Sequence, residues 1–175
     1  MQRQFGPAYL LPEGGTNALA LRGVAELIGE LRQHVDFDAA SRSGGHWRHP
    51  GRPRPGLGRG CLPARAVGIA ALKGADFLRA DVDALLTTGW RARPATMSCT
   101  RAITSAATPS YSAELRAFIQ QFETDYGVLL DPIYTGKLLF GVLDLIGKGY
   151  FGPGSTVVAV HTGGLQAWAG FYSYQ

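Results

Sequence analysis

The sequence predicts an α/β domain built on a parallel sheet with helices on both faces. Three observations carry this prediction: predicted strands and helices alternate along the chain, the strands are apolar throughout, and glycine turns separate the two kinds of segment. Strands that are apolar at every position, and not at every second one, are typical of a sheet covered on both sides. With 175 residues, the chain is long enough for one domain with a substantial core.

The first predicted unit lies near the N-terminus. The apolar run "AYLLP" (Ala8–Pro12) is typical of a short buried strand, and the glycines of "EGGTN" turn the chain after it. Thr16 or Asn17 can provide the N-cap of a following helix, because either side-chain oxygen can accept a hydrogen bond from a free backbone N–H. The helix is predicted from apolar residues near helical spacing, namely Leu19, Val24, Leu27, Ile28 and Leu31.

Further strands and helices are predicted along the rest of the chain. "RAVGIAAL" (Arg65–Leu72) is a second candidate for a buried strand, and "DFLRADVDALL" (Asp76–Leu86) has a helical pattern. Ser112 is the predicted N-cap of a helix that ends at Gly127. Another broad apolar face predicts a helix in "TGKLLFGVLDLIGKG", and "TVVAV" is the last predicted strand.

Two segments have a different composition. Residues 39–64 and 87–111 are rich in Arg, Gly, Pro and Ala and lack periodicity, so we expect both to be irregular. Loops this long are uncommon inside a compact domain, and a second interpretation therefore stays open. With suitable codons, "HWRHPGRPRPGLGRG" read out of frame becomes a glycine turn followed by an apolar helix. Two compensated frameshifts would explain both segments, and resequencing the gene tests this hypothesis.

The net charge of +4 is confined to one segment. Six arginines occur from Arg42 to Arg65 inclusive, and without them the remaining residues carry a net charge of −2. This segment has a single tryptophan and no recognisable nucleic-acid-binding motif, so we expect no nucleic-acid partner. An arginine run can still bind anionic polymers, which leaves a basic binding segment as an alternative function.

Membrane, disulfide and metal roles are not indicated. No run of about 18 apolar residues occurs, and the N-terminus lacks the apolar region of a signal peptide, so we expect a cytoplasmic protein without a membrane partner. Cys61 and Cys99 lack C-x-x-C spacing and are interpreted as ordinary thiols. His46 and His49 have no accompanying cysteine or carboxylate, so we expect no metal site.

Three stretches contain the candidate functional residues. They are "LLPEGGTNALALRGVAEL", "LLDPIYTGKLLFGVLDLIGKGYF" and "VVAVHTGGLQAW", and the last is a buried strand that opens onto His-Thr-Gly-Gly. Together they resemble the C-terminal half of the pyridoxal-phosphate enzymes that include 1-aminocyclopropane-1-carboxylate (ACC) deaminase and D-cysteine desulfhydrase. The resemblance rests on D-P-x-Y-x-G-K followed, some two dozen residues later, by a strand ending in H-x-G-G. It implies a partial tryptophan-synthase-β-like fold (fold-type II), and hence one incomplete α/β domain over residues 1–175.

The resemblance also implies the cofactor pyridoxal 5'-phosphate and a set of site residues. Tyr134 would be catalytic, because it would face the cofactor and substrate, where a phenol can assist proton transfer. The implied cofactor-binding residues are Thr162 beside the pyridine nitrogen, its neighbour Gly163, the motif residue Thr135, and Gly44 and Gly45 in the phosphate loop. Two plainer interpretations stay open: Tyr134 can be a core tyrosine, and Thr162 can cap the turn that follows it.

The two threonines bear on the substrate. ACC deaminases carry Glu at the position of Thr135 and Leu at that of Thr162, so threonine at both positions resembles the desulfhydrase branch. A hydroxyl can bond the ring nitrogen without fixing a proton on it as a carboxylate would. The resemblance therefore implies β-elimination or deamination of a small amino acid, with D-cysteine favoured over ACC.

The lysine that bonds the cofactor covalently in this family is not among the candidate residues. By the resemblance it lies in an N-terminal region that this chain does not contain, and Lys137, which belongs to "YTGK", is not that position. The other lysines are Lys73 and Lys148. We therefore expect a truncated chain that is inactive alone. The alternative is a non-catalytic, degenerate fragment whose basic segment binds anionic partners. The resemblance also implies assembly as a homo-oligomer.

Overall fold

The computed structural model describes residues 17–43, 65–71, 102–104 and 111–172, together with Gly6, Ala80 and Ala84. The expected strand at Ala8–Pro12 lies outside the described residues. The same holds for most of the expected helix at 76–86, of which Ala80 and Ala84 are described and helical.

The described sheet has four strands, all parallel. They are β1 (Ala39–Ser43), β2 (Arg65–Ile69), β3 (Ala102–Thr104) and β4 (Val157–Ala159). Their spatial order is β3-β2-β1-β4. In the register, Ala40 pairs with Ala66 on one side and with Val158 on the other. The parallel sheet predicted from the apolar strands is confirmed.

Four helices accompany the sheet. They are α1 (Ala18–His34), α2 (Ala113–Tyr126), α3 (Thr135–Gly147) and α4 (Ala167–Tyr172). Asn17 caps α1, since its Oδ1 accepts the N–H of Ala20 at 3.0 Å. Ser112 caps α2 by accepting the N–H of Leu115, and Gly127 ends that helix with a φ of +66°. The predicted caps of these two helices are therefore confirmed.

Helices cover both faces of the sheet. Residues that pair across parallel strands point to the same side, so side chains alternate between the two faces along each strand. On one face, Ala40 and Val158 pack with Ile28 of α1. On the opposite face, Val67 and Ile69 pack with α3, through the side chains of Leu138, Val142 and Leu145. The predicted two-sided covering is thus confirmed.

Strand β1 corrects one expectation. We expected irregular backbone from residue 39 onward, but Ala39–Ser43 is a strand between β2 and β4, bonded on both sides. Its described side chains are small and buried: Ala39, Ala40 and Ser41 are at most 3% exposed. Small residues suit a strand pressed between two helical layers. Within 87–111, Ala102–Thr104 is likewise a strand, which corrects that expectation at three positions. Residues 44–64, 87–101 and 105–110 lie outside the described structure.

Helix α3 lies unusually close to the sheet and to α2. A Cβ at Gly141 would come within 3.0 Å of the Ile69 Cγ2 atom in β2. On its other side, α3 meets the cluster formed by Leu115, Ile119 and Leu130. These contacts fix the start of α3, where the candidate site begins. No helix in the described part of the chain is long and apolar enough to cross a membrane.

Candidate functional site

The site is built on a turn that leads into helix α3, here called the DPIYTG turn (residues 131–136). Asp131 is completely buried and its carboxylate accepts four hydrogen bonds. Oδ1 accepts the backbone N–H groups of Ile133 at 2.8 Å and Tyr134 at 2.6 Å. Oδ2 accepts both the N–H of Thr135 at 2.7 Å and its hydroxyl at 2.6 Å. Asp131 therefore satisfies the free N–H groups at the start of α3.

Gly136 closes the DPIYTG turn. Its N–H donates to the main-chain oxygen of Asp131 at 2.8 Å. A Cβ at this position would lie 2.7 Å from that same oxygen and 2.7 Å from the Cδ1 atom of Ile119. Only a residue without a side chain fits here, so the glycine of D-P-x-Y-x-G-K is explained by close packing.

A second turn follows strand β4, here called the HTGG turn (residues 161–164). Gly163 and Gly164 have φ angles of +85° and +93°, which side-chain-bearing residues rarely adopt. The N–H of Gly163 donates to Nδ1 of His161 at 3.2 Å. Since Nδ1 is an acceptor, the proton of the neutral ring lies on Nε2, which donates to the main-chain oxygen of Leu129 at 2.9 Å.

The HTGG turn and helix α4 contact three consecutive residues, Leu129 to Asp131, that lead into the DPIYTG turn. His161 bonds the oxygen of Leu129, and Trp168 Nε1 donates to the oxygen of Leu130 at 3.0 Å. Gly164 lies against the third residue, because a Cβ there would be 3.2 Å from Oδ2 of Asp131. The structure thus brings together the two motifs on which the family resemblance rests.

The strand order places these turns at a ligand-binding position typical of α/β sheets. The chain proceeds from β1 to β2 to β3 in one direction, whereas β4 lies on the other side of β1. Ligands of open parallel sheets bind outside the carboxyl ends of the strands where the order reverses. The HTGG turn follows β4 at this point. The predicted phosphate-loop residues Gly44 and Gly45 follow directly after β1, although they lie outside the described residues.

Tyr134 and Thr162 both present unused hydroxyl groups. Tyr134 is 48% exposed, which contradicts its interpretation as a core tyrosine. Thr162 is also exposed, and neither side chain forms a hydrogen bond with any described residue. The turn-capping interpretation of Thr162 is wrong as well, since the side chain that bonds within this turn is that of His161.

Thr135 has a different environment. It is completely buried, and its hydroxyl donates to Oδ2 of Asp131 and accepts the N–H of Asp131 at 2.8 Å. Its hydroxyl therefore stabilises the DPIYTG turn, and the cofactor-binding role that the resemblance implies for Thr135 and Gly163 stays a prediction. Within the described residues, no three His, Cys, Asp or Glu side chains cluster where they could hold a metal ion.

Sequence reasoning missed three residues of this site. Asp131 and Trp168 were not singled out, and His161 was noted without a role. A signal for Asp131 was present: an aspartate followed by proline, with threonine four residues later at a predicted helix start, is typical of a helix-capping turn. No local pattern indicates the bond from Trp168 to Leu130, because it joins residues 38 positions apart.

Comparisons with known proteins find sequences similar to most of this chain. No family model matches the chain. A Pyrococcus horikoshii protein ascribed to the ACC deaminases is 26% identical over 174 residues, covering 94% of this chain and 52% of that protein. A Salmonella schwarzengrund D-cysteine desulfhydrase is 26% identical over 186 residues, covering 91% of this chain and 51% of that protein. Over at least 90% of its length, the chain is thus similar to proteins named as ACC deaminases and a D-cysteine desulfhydrase.

The structural similarity to a known fold extends over nearly all of this chain. A crystal structure described as an ACC deaminase homologue matches 99% of this chain and 54% of its own, with a TM-score of 0.71 at 21% sequence identity. The predicted partial tryptophan-synthase-β-like fold is confirmed. This chain spans about half the length of the curated relatives it matches.

Proposed function

We propose that this chain forms one wall of a pyridoxal 5'-phosphate site, at which a small amino acid undergoes deamination or β-elimination. One observation carries the proposal: Tyr134 and Thr162 present exposed hydroxyls that bond no described residue, on two turns held together by contacts with Leu129, Leu130 and Asp131. Unused hydroxyls next to a rigid, buried network are what a binding site requires, because the groups are positioned before the ligand arrives.

The described residues fit the ring end of this cofactor. A pyridine nitrogen accepts a hydrogen bond, and the Thr162 hydroxyl has a donor to offer. Gly163 and Gly164 leave the adjoining backbone without side chains, so a flat ring can approach it closely. The Tyr134 phenol can donate or accept a proton at the substrate. When bound, pyridoxal 5'-phosphate supplies an electron sink for the amino acid, while the protein supplies orientation and electrostatics.

The residue beside the ring nitrogen favours a particular substrate. A threonine hydroxyl is neutral, so Thr162 can donate a hydrogen bond without placing a negative charge beside the ring. We propose that this neutral hydrogen bond suits elimination of sulfide from D-cysteine, because that reaction requires less electron withdrawal by the cofactor than opening the cyclopropane ring of ACC. Deamination of ACC is the second candidate, because several similar proteins are named for that activity.

The lysine that bonds the cofactor is proposed to come from outside the matched region. The two described lysines have other partners: Lys137 Nζ donates to the main-chain oxygen of Ala71 at 2.8 Å, and Lys148 pairs with Asp144 at 2.7 Å. We therefore propose that the isolated chain binds the cofactor non-covalently and does not turn over. If a second polypeptide supplied this lysine, we expect the assembled protein to catalyse the proposed deamination or β-elimination.

Ligand binding tests this proposal directly. The probe is pyridoxine 5'-phosphate, which lacks the aldehyde and so cannot react with surface lysines, measured by calorimetric titration. We expect Thr162→Val to weaken binding about five-fold, the value of one neutral hydrogen bond. Thr124→Val is the matched control, because the Thr124 hydroxyl bonds the oxygen of Gln120 on an exposed part of α2. Absent binding, or equal affinities for all three proteins, would contradict the proposal.

Turnover provides the second test. Purified chain with pyridoxal 5'-phosphate should release neither sulfide from D-cysteine nor ammonia from ACC. Addition of a separately produced lysine-bearing half of a relative should restore release, and Tyr134→Phe should lower it. Sulfide or ammonia release by the chain alone would contradict the proposed origin of the lysine without affecting the binding proposal.

A further inference from the structure

We propose that Asp131 is a positioning residue that sets the relative placement of Tyr134 and Thr162. It does so without touching a ligand, because its carboxylate is completely buried and bonded within the DPIYTG turn. Its role in a reaction rests on the proposed function, whereas its structural coupling of the two turns does not.

The first half of the coupling runs from Asp131 to Tyr134. The Asp131 Oδ1 atom accepts the N–H of Tyr134 at 2.6 Å, and Oδ2 accepts the N–H of the next residue, Thr135, at 2.7 Å. Tyr134 has no side-chain cap of its own at the start of α3. The backbone that carries the phenol is therefore held by the Asp131 carboxylate.

The second half runs from Asp131 to Thr162. Gly164 lies against the Asp131 carboxylate, which sets the end of the HTGG turn. His161 sets the beginning of that turn through the oxygen of Leu129, two residues before Asp131, and bonds Gly163 on the far side of Thr162. Thr162 is thus bracketed by contacts with residues 129 and 131.

A single carboxylate therefore touches both turns. Asp131→Asn keeps the shape of the side chain but replaces one acceptor oxygen by an NH₂ donor. At the Oδ2 position that NH₂ group would face the N–H of Thr135 and lie next to Gly164. The DPIYTG turn has to move to relieve this contact between donors, and we expect the HTGG turn to move with it because Gly164 lies next to the same group. Loss of an ordinary helix cap would disturb only the helix it belongs to.

Heteronuclear NMR of the full chain tests the coupling. The matched control is Ser112→Ala, which removes the side-chain cap of α2 at a position outside both turns. In Asp131→Asn we expect shifted amide resonances at Tyr134, at Gly163 and at Gly164, together with a shifted Trp168 indole N–H. In Ser112→Ala these four resonances should stay in place. If the Asp131→Asn resonances move only within residues 131–136, the coupling is overturned.

A second variant tests the same coupling in case Asp131→Asn does not fold. Thr135→Val keeps the carboxylate and removes one of its four donors, so the same resonances should shift by a smaller amount in the same pattern. Shifts confined to the DPIYTG turn in this variant would also overturn the coupling.

The affinity for pyridoxine 5'-phosphate connects the coupling to the site. We expect Asp131→Asn to lower it about ten-fold, because two contacts to the ring end become misplaced, and Ser112→Ala to change it less than about two-fold. If the resonances of both turns shift in Asp131→Asn but the affinity is unchanged, the positioning role of Asp131 is overturned. Coupled resonances with no binding in any protein, wild type included, would refute the proposed function and leave the structural coupling intact.

Discussion

The indole Nε1 of Trp168 donates a 3.0 Å hydrogen bond to the main-chain oxygen of Leu130, the residue just before Asp131. Helix α4 is thereby tied to the segment that leads into helix α3. The indole ring also packs edge-to-face on Tyr111, with ring centroids 6.3 Å apart.

Trp168→Phe removes this hydrogen bond while keeping an aromatic ring. We expect the free energy of unfolding to fall by about 1 kcal/mol, since a carbonyl that is partly buried loses its partner. Urea unfolding monitored by circular dichroism measures the change. An unchanged midpoint at an unchanged slope would show that the bond to Leu130 adds nothing to stability.

Gly164→Ala and Gly163→Ala form a matched pair in the HTGG turn. Both positions have positive φ, but a Cβ at Gly163 meets no atom within 4 Å, whereas one at Gly164 meets the Asp131 carboxylate. We expect losses of about 1 kcal/mol for Gly163→Ala and about 3 kcal/mol for Gly164→Ala, because only the second adds overpacking to backbone strain. Equal losses would mean that the contact with Asp131 is not tight.

Gly136→Ala should be among the most damaging small substitutions in the described chain. Its Cβ would press on the Asp131 oxygen and on Ile119, so we expect a loss of about 3 kcal/mol. Gly29→Ala in α1 is the control, because an added Cβ there meets nothing within 4 Å. It should raise the unfolding free energy by about 0.5 to 1 kcal/mol through helix propensity. The two variants should therefore differ in sign in the same thermal or urea assay.

His161 should be found in the tautomer protonated on Nε2. The Gly163 N–H bonds Nδ1, and Leu129 accepts from Nε2, so the neutral ring has one arrangement that satisfies both partners. Nitrogen chemical shifts of the imidazole ring identify the tautomer. A neutral ring protonated on Nδ1 would contradict the described turn.

Local signals predicted the helices well. Asn17, Ser112 and Gly127 lie at helix ends where a single side chain or a single φ angle decides the boundary, and all three occupy those ends in the structure. The apolar spacing of α3 likewise predicted a helix, in which Leu138, Val142 and Leu145 pack on the sheet. Such information is contained within a few neighbouring residues.

Strand β1 could not be predicted in the same way. "AASRS" contains no β-branched or aromatic residue, so its own propensity for a strand is low. It becomes a strand because β2 and β4 supply backbone partners on both sides. The site residue Trp168 was missed for a related reason, since its hydrogen bond to Leu130 joins residues 38 positions apart.

The pairing of β1 with β4 also determines when the candidate site can assemble during synthesis. Thr156 donates its N–H to the carboxylate of Asp38, 118 positions earlier in the chain. Closing so long a loop is entropically costly and is typical of slow steps in folding. Until residue 160 has left the ribosome, one edge of β1 lacks its partner and is exposed to pairing with other chains. A chaperone that shields this edge co-translationally would therefore be expected to raise the yield of folded protein.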